Sequence, residues 1–257
     1  MNLISALPLI LFLLLLVLQS LFPRRDLSRV GQRRGWHNLF LFAFNFVLLR
    51  FLIPLTLLST ANWALANQLG VFNLIAAPNW LAIVVTVIVL DFAIYWQHVA
   101  THKIDLLWRM HKVHHADHDM DVTTAVRFHP LELVLSLLYK ALLVILLGAP
   151  LAAVIIFELL LFIGPAFNHS NLAIPARVDA ALRKMIATPD VHRAHHSIDI
   201  NEQNTNYGFF LIWWDRWFQT YTERPAAGHR TMSIGLVSQE SECERVDQML
   251  IAPFLKS

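Results

Sequence analysis

The feature that most limits what this chain can fold into is the length of its uncharged apolar runs. Residues 3–22 (LISALPLILFLLLLVLQSLF) form 20 positions without a charge, enough to cross a hydrocarbon layer of about 30 Å as a helix. Residues 37–59 make a second span, interrupted by Arg50, and residues 79–98 a third. Residues 131–167 are too long for one helix and contain Gly148–Ala149–Pro150, a turn signal, so they read as a helical hairpin. Only 15% of the 257 residues are charged and 56% are hydrophobic, against about 25% charged in an ordinary soluble domain. The expectation is an all-α integral membrane protein with about four to five membrane helices. No basic segment precedes the first run and no small-residue cleavage site closes it, so it reads as an uncleaved anchor.

Charge sets an orientation. Arg24, Arg25, Arg29, Arg33 and Arg34 fall in one short segment after the first span, while residues 60–79 contain no Lys or Arg. The positive-inside rule puts the arginine segment in the cytoplasm, and the third span then returns the chain to the same face. A net charge of +2 is too small to argue for nucleic acid. The single cysteine, Cys243, excludes an intrachain disulfide, a Cys-rich zinc site and an iron–sulfur cluster. Past Pro175, the segment ARVDAALRKMIA groups Val178, Ala181, Leu182 and Met185 on one face, as a short helix lying in the interface or packed on the cap. The expected division is 1–78 membrane anchors, 79–223 a central domain and 224–257 a polar tail that carries no signal.

Eleven of the 13 histidines lie between His98 and His196. His98 and His102 form H-x-x-x-H; His111, His114 and His115 form H-x-x-H-H, and His192, His195 and His196 repeat it. Residues i, i+3 and i+4 share a helical face, so each cluster is expected to aim two or three imidazoles at one point. Eight such ligands exceed the four of a tetrahedral zinc and suit two metals of higher coordination number. H-E-x-x-H is absent, as are the Glu-x-x-His pairs of carboxylate-bridged bundles, so the centre is nitrogen-rich.

These residues carry a resemblance. H-x-x-x-H (98–102), W-x-x-H-x-x-H-H (108–115), TTAVRFHPLE (123–132), FNHSNLAIP (167–175), TPDVHRAHHS (188–197) and NYGFFLIWWDRWFQTY (206–221) follow the order of the fatty acid hydroxylase superfamily. The likeness is closest to its sterol desaturase-like branch, with alkylglycerol monooxygenase-type enzymes as near relatives. It covers about half the chain. It implies a non-heme di-iron enzyme that uses O2 and two electrons to hydroxylate or desaturate a lipid C–H bond. It also implies His98, His102, His111, His114, His115, His192, His195 and His196 as ligands, with His169 as a further one. Where relatives carry a second H-x-x-x-H this chain has Pro165 four residues before His169, which leaves water or Asn168 to complete one metal. His129, in RFHP, is a ligand, a supporting group or a structural histidine. His37, His118 and His229 lack a partner at ligand spacing.

Asp91 lies seven residues, two helical turns, before His98; a carboxylate at that depth is a functional candidate. It is expected to accept a ligand N–H. Asn206 and Tyr207 follow the third cluster and line the site, or serve as a turn residue and a packed aromatic. Trp213, Trp214, Trp217 and Phe218 read as an interfacial belt, and Arg50, Lys140 and Glu158 as snorkelling or interhelical pairs. No dinucleotide-binding glycine motif or cysteine pair occurs. Electrons therefore come from a separate donor, by the resemblance cytochrome b5-like or ferredoxin-like with its reductase, and Arg109, Lys112 and Arg193 are expected to help dock it. The membrane is a bacterial inner membrane or the endoplasmic reticulum, with the His-rich cap in the cytoplasm. The main alternative is a membrane zinc-binding transporter or sensor, with a heme protein as a lesser rival. Hydroxylation and desaturation share a first hydrogen abstraction, and sterol, fatty acyl, ether lipid and carotenoid substrates all fit the motifs.

Overall fold

A computed structural model describes residues 3–27, 29–53, 55–237 and 243–255. The side chains of residues 3–5, 29–32 and 52 lie outside the described set, Arg29 and tail residues 238–242 and 256–257 among the positions affected. Helices follow one another as α1 (Leu3–Leu21), α2 (Arg29–Leu52), α3 (Leu57–Ala66), α4 (Val71–Leu74), α5 (Asn79–Lys103), α6 (Asp105–His115), α7 (Pro130–Leu147) and α8 (Leu151–Asn168). Five short helices complete the chain: α9 (Ala176–Leu182), α10 (Pro189–His195), α11 (Ile200–Gln203), α12 (Trp213–Trp217) and α13 (Val246–Ile251). Single 3-10 turns lie at Val122–Val126 and Ala252–Phe254. Among the described residues there are no strands, only three isolated bridges.

Among the described residues three helices, α5, α7 and α8, are long and apolar enough to cross a membrane; the apolar stretch Ala6–Leu21 of α1 is shorter. The protein is a membrane protein of all-helical fold. Expectation and structure differ at the second span. It does not run to Ser59 but stops at Leu52, and a capping box restarts the chain as α3: Ser59 N–H donates to Thr56 Oγ1 and Thr56 N–H to Ser59 Oγ, both at 3.0 Å. The first turns of α2 carry Arg33 and Arg34, so part of its length serves the cap. The rest exposes aromatic side chains, Phe40, Phe46 and Phe51 among them, as a lipid-facing helix would.

The α7–α8 hairpin forms as its turn residues require. His129 N-caps α7, Pro130 takes the first helical position, and Gly148 ends the helix in the left-handed region at φ 63°. A Cβ on Gly70 would meet the Gly148 backbone nitrogen at 2.1 Å, so the α3–α4 and α7–α8 turns touch only because both are glycine. Leu57, Leu90, Ile94, Val144, Val154 and Phe157 form the core between α3, α5, α7 and α8, with Ala61 and Ala141 letting helices approach.

The arginine segment does more than set orientation. Arg24 grips Asp190 with two hydrogen bonds, 3.0 and 2.8 Å. Buried Arg34 binds Asp117 at 2.5 Å and Asp121 at 2.7 Å. The α1–α2 connection therefore lies on the same side as the His-rich segments. The tail is not the featureless polar stretch its composition suggests. Leu236, Cys243 and Met249 pack with Leu41 and Val113, and Met232 and Ile234 with Met120. Arg127 also donates to the Cys243 carbonyl. Val178 on α9 and Met185 in the turn that follows it are exposed.

Candidate metal centre

Nine histidines meet where α5, α6, α8 and α10 converge, and they divide into two groups. His98, His102, His111, His115 and His195 form the first; His114, His169, His192 and His196 form the second. Within each group the candidate ligand atoms all lie within 4.8 Å of one another. The groups adjoin: the rings of His115 and His196 stack with centroids 4.4 Å apart.

The triplets do not aim at one point each, as their spacing suggested. Positions i and i+4 are about 40° apart around a helix, while i+3 lies about 60° to the other side. Thus His111 and His115 serve the first group while His114 turns to the second. His192 and His196 serve the second while His195 crosses to the first. Each H-x-x-H-H segment contributes to both groups, which ties them into one unit.

Ring orientation is fixed from behind. A carbonyl can only accept, so His98 Nδ1 donates to Tyr207 O (2.8 Å), His195 Nδ1 to Thr205 O (2.7 Å) and His169 Nδ1 to Pro165 O (2.9 Å). His111 Nδ1 donates to Glu132 Oε1 at 2.7 Å. In these four rings the Nε2 lone pair is left to face the centre. Pro165 thus supplies a carbonyl that orients His169.

The donor set fits metal ions. In the first group the Nε2 atoms of His98, His102, His111 and His195, and both nitrogens of His115, are buried without a hydrogen-bond partner. Each such group costs about 1–3 kcal/mol, so the set together would consume a large part of the roughly 5–15 kcal/mol by which a protein is stable. In the second group, His169 Nε2 lies 3.0 Å from His114 Nε2 and 3.2 Å from both His192 Nε2 and His196 Nε2. Nitrogens held at about 2.1 Å from one metal are about 3.0 Å apart at octahedral cis positions and about 3.4 Å apart at tetrahedral corners. Burial and neighbouring imidazoles push the proton affinities of His114, His115, His192 and His196 well down. Burial takes His169 to about 4 and His195 to about 3. All six are neutral near pH 7, the form that binds metal.

Three expectations need correction, those for Asp91, for Trp214 and for the docking charges Lys112 and Arg193, and the alternatives left open for His129 narrow to the structural one. Asp91 does not support a histidine; it accepts the Trp214 indole N–H at 2.6 Å, beneath Phe92. Trp214 is accordingly buried, leaving Trp217 and Phe218 as the exposed aromatics. His129 lies apart from both groups, with Nδ1 accepting from Leu131 N–H and Nε2 donating to Leu250 O, each at 3.2 Å. Arg193 and Lys112 are buried, with Arg193 bonded to Asp190, so neither offers a docking charge.

Asn206 and Tyr207 are where the sequence placed them, with definable roles. Asn206 adopts φ 52° and its amide bridges Val191 O and Thr222 O (2.9 and 2.8 Å), holding the turn. Tyr207 lays its ring against His98, His102 and His195, at centroid distances of 5.6, 5.2 and 5.6 Å. Beneath that turn, buried Asp215 accepts from the N–H groups of Tyr207 (2.8 Å) and Gly208 (2.6 Å); burial raises its pKa to about 6. The sequence reading passed over Glu132 and Asp215. Glu132 had a signal, a lone carboxylate in the first turn of an apolar span; Asp215 closes a local turn onto Tyr207, Gly208 and Thr220 and carries no spacing signal of its own.

A cavity of about 250 Å³ opens onto the centre from between α2, α5, α7 and α8. His98 and His111 of the first group and His114, His169 and His192 of the second reach its wall, where Ile94, Leu133, Leu161 and Phe162 supply apolar surface.

A family model described as "Fatty acid hydroxylase" matches residues 83–220. The chain belongs to the fatty acid hydroxylase family. It is 32% identical to ornithine lipid hydroxylase OlsE of Rhizobium tropici over 151 residues, 58% of this chain and 44% of that protein. It is 29% identical to alkylglycerol monooxygenase of Homo sapiens over 131 residues, 51% of this chain and 28% of that protein. The match therefore spans less than half the length of these relatives. No solved structure matches.

Proposed function

We propose that this fatty acid hydroxylase family member is a membrane-bound non-heme di-iron oxidoreductase that inserts oxygen into a lipid C–H bond. The overall change is R–H + O2 + 2e⁻ + 2H⁺ → R–OH + H2O, with desaturation as the alternative outcome of the same hydrogen abstraction. The observation that carries this reading is the pair of adjoining histidine groups, five and four, on the wall of an apolar cavity. His98, His102, His111, His115 and His195 would hold one iron, and His114, His169, His192 and His196 the other. When bound, the irons would supply O2 activation.

The chain's own residues do the rest. Tyr207 O, Thr205 O, Pro165 O and Glu132 hold four rings in the tautomer that presents Nε2. Leu161, Phe162 and Ile94 keep water from the cavity and admit hydrocarbon. Residues 1–78 would anchor the catalytic unit at 79–223, with the cap on the cytoplasmic face, where a separate electron donor such as a cytochrome b5-like or ferredoxin-like protein reaches it. The bilayer supplies the substrate by lateral entry between α5, α7 and α8.

Metal analysis with Mössbauer spectroscopy on protein grown with iron-57 and purified in mild detergent tests this. About two irons per chain with a coupled signal, and reductant-dependent O2 uptake, are expected. Zinc alone, unchanged by iron-replete growth and without O2 uptake, would overturn it in favour of a zinc transporter or sensor.

A further inference from the structure

The cavity has two unlike walls. Leu161 and Phe162 on α8 and Val126 beside them are apolar, whereas α7 turns Glu132, Ser136 and Lys140 inward at intervals of four residues, with Gln97 of α5 opposite. That spacing is a continuous stripe on one helical face, about 12 Å from first to last. Glu132 is committed to His111. Ser136 Oγ donates to Gln97 Oε1 at 3.2 Å, which leaves the Gln97 amide N–H2 as a donor. Among the described residues, Lys140 is the one lysine or arginine on the cavity wall. Glu158 of α8 attracts it electrostatically but makes no ion pair within 4 Å among the described residues. An ammonium kept inside a membrane helix is costly, and such residues mark ligand paths.

Among the described residues, no hydrogen-bond acceptor pairs with the Lys140 ammonium or the Gln97 amide N–H2, and both residues line the cavity. We propose that Lys140 and Gln97 form a recognition site for an anionic oxygen group on the lipid substrate, a carboxylate or a phosphate, which anchors one end of the segment presented to the histidines. This rests on the reading above that the cavity holds the substrate. The cavity receives the polar end of a lipid and an adjoining stretch of its chain.

The test is equilibrium binding of three single-chain probes to the full chain, iron-loaded, in phosphatidylcholine nanodiscs at pH 7: palmitate, hexadecyl phosphate and methyl palmitate. At least one anion is expected to bind about tenfold more tightly than the ester, the worth of one charge-assisted hydrogen bond. The better anion says whether the site reads carboxylate or phosphate. Lys140→Met should bring the preference close to one with iron content unchanged, and Lys140→Arg should keep most of it. Equal binding of all three probes by the wild-type protein overturns the proposal, even if Lys140→Met fails to load iron. A preference that survives Lys140→Met also overturns it, and leaves Lys140 as a partner for Glu158 alone. Iron content and O2 uptake on the same samples report separately on the di-iron reading, so failure of one does not pass for failure of the other.

Discussion

The two histidine groups are built from the same segments yet held differently. In the five-membered group, three rings are tied from behind, His98 by Tyr207 O, His195 by Thr205 O and His111 by Glu132. In the four-membered group only His169 is tied, by Pro165 O, while the Nδ1 atoms of His114, His192 and His196 are buried without partners. An N–H held by a carbonyl or carboxylate fixes the ring and strengthens its other nitrogen as a donor. The first group is therefore the more pre-organised, and the second has both fewer donors and less support. Three of the second group's four rings reach the cavity wall, against two of the first group's five. The less supported group is thus also the one that presents more of its rings to the cavity.

Removing one donor from each group gives the largest expected effect. His169→Ala leaves three nitrogens in its group and should lower iron from about two to about one per chain, with lipid oxidation abolished. His102→Ala leaves four and should keep most of the iron while still losing activity. Metal analysis on the two purified variants decides it; equal loss from both would show that the groups are not unequally held.

Next in size is Glu132→Gln. The amide occupies the same space but lacks the charge that strengthens His111, and outer partners of this kind are worth about 10–100-fold in metal affinity or activity. The loss should fall on the five-membered group's iron, as a faster release to a chelator. Glu132→Asp, which restores the charge at shorter reach, should recover part of it. Release kinetics identical to wild type in Glu132→Gln would show that the Glu132–His111 contact does not support the metal.

How much of this could be read from the sequence depends on the range of the interaction. The third span and the recurrence of histidines three and four residues apart are local facts that can be read without a fold, whereas the end of the second span at Leu52 could not. The hairpin was equally legible, because Gly148 and Pro150 act on their own backbone. Partners were not. Asp91 lies two turns from His98 on one helix, which argued for a histidine partner, but Trp214, 123 positions away, takes its carboxylate. Arg34 read as a topology signal and is a buried clamp on Asp117 and Asp121. The crossing of His114 and His195 between groups depends on how α6 and α10 face each other, which no single helix encodes.

Acid separates the groups by a smaller margin. In the unfolded chain imidazoles take up protons near pH 6.5; folded His169 and His195 do so only near 4 and 3, because burial disfavours the cation. Between about pH 6.5 and 4 the unfolded state binds more protons, so the metal-free protein loses stability as pH falls through that window. Bound iron competes with those protons and should move the loss to lower pH. Thermal melts of the metal-free and loaded forms at stepped pH check the sign. Iron released in two steps, the four-membered group first, would sharpen the comparison, and joint release in one step would break it.

The smallest effect comes from the histidine that belongs to neither group. His129 caps α7 through Leu131 N–H and meets the tail at Leu250 O. His129→Ala removes the cap and the tail contact but no candidate metal ligand. Loss of a side-chain cap costs about 1 kcal/mol, which for a chain of this size lowers Tm by about 2–4 °C. Iron per chain and the chelator release rate should stay at wild-type values, in contrast to every substitution within the two groups. Should His129→Ala lose iron as His169→Ala does, the boundary drawn around the nine histidines is wrong. The α7 N-terminus, which carries both His129 and Glu132, would then have to be counted as part of the centre.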